Sequence, residues 1–147
     1  MVRGAKPIWV HLDHCANARA HLCALGRFAE AEPLAHRGRE LGDEQDMATQ
    51  VLWRQALARV HAHQEKHSEA ERLAREAVEI AEQTDGLYYQ ANALSDLAEV
   101  LAAASRYDEA AQALGQALER HERKKNLAMI AQLQPRLQAL ENERAEP

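Results

Sequence analysis

Apolar residues recur along this chain with the spacings of three and four residues that place them on one face of a helix. In the segment at about 46–64 these residues are Val51, Leu57, Ala58, Val60 and Ala62. In the segment at about 68–84 they are Ala70, Leu73, Ala74, Ala77, Val78 and Ala81. Over the whole chain the pattern predicts seven helices, at about 8–25, 29–41, 46–64, 68–84, 87–104, 108–123 and 127–144.

The composition agrees with an all-helical chain. Of the 147 residues, 30 are alanine and only 4% are aromatic. Alanine, leucine, glutamate, arginine and glutamine lose little side-chain freedom in a helix, so they favour it throughout. Hydrophobic residues make up 46% of the chain, which is enough for the core of one domain, but that core must be built mainly from small side chains.

A segment repeats three times with nearly constant spacing. Residues 26–31, 65–70 and 105–110 each end in a Glu-Ala pair, and their final alanines, Ala31, Ala70 and Ala110, lie 39 and then 40 residues apart. The preceding helices also match at an offset of 40 residues: Gln50, Leu57, Ala58, Val60 and Ala62 recur as Gln90, Leu97, Ala98, Val100 and Ala102. Each unit is therefore predicted to be a helix, a short turn and a second helix, with Ser68 and Asp108 as N-caps of the second helices.

These units resemble the tetratricopeptide repeat family, which places a leucine and a small residue in the first helix and an alanine early in the second. Unit two offers Leu57, Ala58, His61 and Ala70, and unit three offers Leu97, Ala98, Leu101 and Ala110. The resemblance implies an all-α, right-handed α-solenoid in a single domain, 1–147, with units at about 8–45, 46–86 and 87–126. A C-terminal capping helix is expected at 127–144. The period near 40 residues is similar to that of units in large bacterial signalling and transcriptional regulators.

The resemblance also implies a concave groove lined by the first helices. The expected groove residues are Asp13, Asn17, Gln55, Arg59, His63, Asn92, Ser95, Asp96 and Glu99. The lysine and asparagine arrangement by which some family members hold a terminal carboxylate is not evident. The leading hypothesis is a non-catalytic protein-interaction module that binds a peptide or partner helix in this groove, as a regulatory segment of a larger bacterial signalling protein. The alternative is a free-standing scaffold that forms homo-oligomers, such as a homodimer, through exposed solenoid ends.

Charge and motifs argue against several other function classes. Lys plus Arg is 18 and Asp plus Glu is 23, so the net charge is −5, whereas nucleic-acid binders usually carry a clustered basic face. The glycines form no phosphate-binding loop, no catalytic set is marked by spacing, and no cofactor is expected. A metal-binding helical protein is a remote alternative, suggested by His11, His14 and Cys15 and by the pair His63 and His67.

Cysteine spacing and hydropathy predict a cytoplasmic protein. Cys15 and Cys23 lie on one predicted helix, about 12 Å apart, which is too far for a disulfide. The start of the chain has no apolar stretch of signal-peptide length, and nothing approaches the ~20 apolar residues that a membrane helix needs.

Overall fold

The computed structural model describes Cys23 and residues 25–145, and this part of the chain is helical with short connections. Its six helices are α1 (Phe28–Leu41), α2 (Met47–His63), α3 (His67–Glu82), α4 (Leu87–Ala103), α5 (Tyr107–Lys124) and α6 (Leu127–Ala145). The predicted first helix at 8–25 lies outside the described residues except for Cys23, which is helical. The six helices match the other predicted segments, and the all-α solenoid class is confirmed.

A left-handed residue lies between the two helices of units two and three, and a left-handed glycine precedes α1. Glu65 and Ser105 have φ values of 61° and 60°, and Gly26 has φ 73° at the equivalent place in unit one. In units two and three, the next backbone N–H donates to a carbonyl in the last turn of the preceding helix: Lys66 to His61, and Arg106 to Leu101, both at 2.9 Å. This hydrogen bond closes the first helix, and the chain reverses direction within three connecting residues.

The predicted N-caps of α3 and α5 are wrong. The N-cap positions are Lys66 and Arg106, neither of which makes a side-chain capping hydrogen bond, while Ser68 and Asp108 lie inside the first turns. Only three residues connect the helices of each pair, 64–66 and 104–106, so each second helix begins before the residue with the capping side chain. A true side-chain cap occurs at α2, where Asp46 accepts from the Thr49 backbone N–H at 3.2 Å.

Consecutive helices pack against one another, and the first helices of units two and three, α2 and α4, also touch. Small side chains make this close approach possible: Ala70, Ala77, Ala110 and Ala117 are all completely buried. Leu57 and Leu97 occupy equivalent buried positions of α2 and α4. The stack is therefore built from repeated contacts between alanine faces and leucine side chains.

The last helix, α6, packs against α5 and continues without interruption through Pro135. Leu133 anchors it, being only 1% exposed, and Ile130, Leu137 and Leu140 pack against the core. Because α6 follows α5 as α4 follows α3, it takes the place of a fourth first helix. Its inner face is therefore directed to the same side as the faces of α2 and α4.

One buried polar side chain interrupts the apolar packing of α5. His121 is fully buried, and its two ring nitrogens have no hydrogen-bond partner among the described residues. Burial, together with the charge of Lys124, lowers the pKa of this imidazole, so the folded protein binds a proton there less readily than the unfolded chain does.

Candidate functional site: the concave groove

A groove of about 320 Å³ opens on the face shared by α2, α4 and α6. Its lining combines polar or charged side chains with an equal number of apolar or aromatic ones. The residues are Cys23, Leu52, Gln55, Ala56, Arg59, Tyr88, Tyr89, Asn92, Ser95, Asp96, Glu99, Met129, Leu133 and Arg136. Helices that are separated in sequence by a full unit thus contribute to one cavity.

The predicted groove residues fall into three groups. Six of them line this groove together: Gln55, Arg59, Asn92, Ser95, Asp96 and Glu99. His63 lies instead in a neighbouring hollow of about 410 Å³, where its ring stacks on Phe28 with centroids 4.2 Å apart. Asp13 and Asn17 lie outside the described residues.

An ion-pair bridge crosses the groove between three helices. Arg59 of α2 approaches Glu99 of α4 with 3.3 Å between Nε and Oε2. The other oxygen of Glu99 accepts from Arg136 of α6 at 2.9 Å. One carboxylate is therefore shared by two guanidinium groups, and Arg59 and Glu99 also line the second hollow.

Asp96 lies beside this bridge, half-buried on α4. Burial raises the pKa of its carboxyl group to about 7, and the nearby charge of Glu99 adds to the rise. Arg59, Arg136 and a hydrogen bond from Gln55 oppose it. Near neutral pH the Asp96 carboxyl is consequently divided between its charged and neutral forms.

Two of the polar side chains that line the groove are largely covered. Gln55 and Ser95 are each only 8% exposed, at equivalent positions of α2 and α4. The Ser95 hydroxyl has no hydrogen-bond partner within the described part of the chain. These two side chains are thus more deeply buried than side chains on a solvated helix face.

Sequence reasoning missed the contribution of α6 because this helix was assigned only a capping role. Arg136, Met129 and Leu133 all face the groove. The 40-residue offset itself contains the signal: continued beyond unit three, it relates Asp96 to Arg136 and Tyr89 to Met129. Two half-exposed tyrosines at the start of α4, Tyr88 and Tyr89, were also not predicted, and Lys124 lies 5.5 Å from the ring centre of Tyr88.

The helices formed by the described residues are all too short or too polar to cross a membrane. No group of three or more histidine, cysteine, aspartate or glutamate side chains among these residues is placed to hold a metal ion. The three N-terminal residues His11, His14 and Cys15 lie outside this part of the chain.

Comparison with known families bears on the two central units. A tetratricopeptide repeat family model matches residues 46–123, which is just over half of the chain and corresponds to α2 through α5. No curated protein matches the sequence significantly. The matched residues carry the repeated leucines, the buried alanines and the left-handed turns described above. On this match, the chain belongs to the tetratricopeptide repeat family.

Proposed function

We propose that this chain is a non-catalytic interaction module that holds a segment of a partner protein in the groove between α2, α4 and α6. Tetratricopeptide repeats generally mediate protein–protein interaction. The observation that carries the proposal is the convergence of polar side chains from three non-consecutive helices on one cavity. In a larger bacterial signalling protein such a module would serve as the regulatory segment that senses the partner.

The size and lining of the groove suit a short peptide segment. A volume of about 320 Å³ accommodates the side chains of a few residues, and the second hollow extends the path past Arg59 and Glu99. Amide and charged groups such as Asn92 can pair with peptide hydrogen-bonding groups. Tyr88 and Tyr89 supply aromatic surface of the kind enriched at interfaces.

The test is selection of a phage-displayed random peptide library on the immobilised full chain. Asn92→Trp fills the groove with a large ring, so we expect it to abolish enrichment of the peptides that the unchanged protein selects. Gln112→Trp is the matched control, because Gln112 is exposed on α5 and does not line the groove. Circular dichroism checks that both variants keep their helix content. Equal enrichment by the unchanged protein and Asn92→Trp, or no enrichment by either, would contradict the proposal.

A further inference from the structure

The charge balance of the groove depends on a single shared carboxylate. Arg59 and Arg136 both pair with Glu99, at 3.3 and 2.9 Å. The other acidic side chain that lines the groove is Asp96, which is negatively charged only when its carboxyl group has lost its proton. When Asp96 carries a proton, two guanidinium groups face one carboxylate, and the bridge has an excess positive charge.

All three lining helices contribute the groups that act on Asp96. Arg59 and Gln55 approach it from α2, Glu99 lies one turn further along α4, and Arg136 comes from α6. Cys23, from the segment before α1, acts on the same cluster through Arg59. Burial is the largest influence and brings the pKa of Asp96 to about 7, so protonation changes the balance near neutral pH.

We infer that Arg59 receives the carboxylate of an aspartate or glutamate side chain in the partner segment, and that this docking requires a proton on Asp96. The inference rests on the proposed function, since it names the chemistry of the segment that the groove holds. When the incoming carboxylate pairs with Arg59, Glu99 remains paired with Arg136, and each of these charges has an opposite charge beside it. A cationic side chain would instead have to draw Glu99 away from both arginines, which is costly in a partly buried site.

The position of Arg59 selects a side-chain carboxylate over a chain terminus. Arg59 and Glu99 stand between the groove and the second hollow and line both. When an acidic residue of the partner docks at Arg59, the partner chain therefore continues into the groove on one side and into the second hollow on the other. A C-terminal residue has chain on one side only. Ser95 also lines the groove, and its buried hydroxyl, which has no hydrogen-bond partner among the described residues, is a further hydrogen-bond donor for the segment.

The requirement for a proton fixes the size of the pH effect. An ionised Asp96 would repel the incoming carboxylate, so the affinity follows the protonated fraction of Asp96. With a pKa of about 7, this fraction falls about tenfold between pH 6 and pH 8. The partner's own carboxylate has an ordinary pKa of about 4 and stays ionised over this range.

The experiment uses the peptides that the unchanged protein selects and that the Asn92→Trp variant no longer captures. We expect these peptides to share an internal aspartate or glutamate. A histidine-free example, synthesised with a C-terminal amide, should bind the full chain about tenfold more tightly at pH 6 than at pH 8. The same peptide with glutamine or asparagine at the shared acidic position should lose at least tenfold in affinity at pH 6.

Three variants separate this inference from a general effect on folding. Asp96→Asn imitates the protonated form, so it should bind at pH 8 as tightly as the unchanged protein does at pH 6. Arg59→Gln should lose the preference for the acidic peptide over its neutral counterpart. Arg75→Gln is the matched control, because Arg75 pairs with Glu71 and Glu109 outside the groove, and it should leave affinity unchanged.

The outcomes distinguish the two proposals. Groove-dependent peptides that lack acidic residues, that need a free C-terminal carboxylate, or that bind equally at pH 6 and pH 8 would overturn the inference and leave the proposed function standing. Peptides whose binding survives Asn92→Trp would overturn both.

Discussion

Replacing His121 with leucine is expected to stabilise the protein and to remove part of its sensitivity to acid. The His121 ring is fully buried, and neither nitrogen has a hydrogen-bond partner among the described residues. An unsatisfied buried polar group costs about 1–3 kcal/mol, whereas a change between side chains of similar volume in a core costs less than about 1.5 kcal/mol. The net expectation for His121→Leu is a gain of about 1 kcal/mol in the free energy of unfolding at pH 8.

The sign of the pH effect follows from the lowered pKa of His121. Above the unfolded-state value of 6.5, both states hold the ring neutral and pH has no influence through this residue. As pH falls below 6.5, the unfolded chain takes up a proton that the buried ring resists, so the folded state loses stability. The loss grows as pH falls further towards 5.5. His121→Leu abolishes this loss, so its advantage over the unchanged protein should be larger at pH 5.5 than at pH 8.

Urea unfolding followed by circular dichroism at pH 8 and pH 5.5 measures both quantities. The comparison must be made between variants, because the chain has 8 histidines and the others also titrate. His36→Leu serves as the control, since His36 is exposed on α1 with only a loose approach to Glu32 at 3.9 Å. An advantage of His121→Leu that is the same at both pH values, or a loss of stability at pH 8, would refute the reasoning.

Three further changes test the local structure by the same unfolding measurement. Ser105→Gly should raise stability by about 1 kcal/mol because Ser105 has φ 60°, whereas Ala104→Gly, at a negative φ, should not raise it. Asp46→Ala removes the side-chain cap of α2 and should lower stability by about 1 kcal/mol, with an unchanged value counting against that cap. Leu97→Ala, in the core between units, should lower stability by about 2–5 kcal/mol, and a loss below about 1 kcal/mol would show that the site is loosely packed.

The groove shows where reasoning from the repeat was sufficient and where it was not. Residues such as Arg59 and Glu99 could be placed on one face because they occupy equivalent positions of neighbouring first helices. The pairing of Glu99 with Arg136 could not, because the 40-residue offset gives the position of Arg136 along α6 but not its distance from side chains of α4. The burial of Gln55 and Ser95 was also missed, since it depends on how closely α2 and α4 approach.

Spacing along the chain was sufficient to predict the helices between 28 and 145, their pairing and their order. A period of about 40 residues, alanines at fixed offsets and apolar faces that one helix pair cannot bury leave stacking as the stable arrangement. The structure was needed for the exact starts of α3 and α5, since the left-handed turns at Glu65 and Ser105 put Lys66 and Arg106 at the N-cap positions in place of the nearby capping side chains. The tertiary structure alone decided the chemistry of the groove. The state of Asp96 and the sharing of Glu99 arise from distances and burial between helices, which no spacing along the chain encodes.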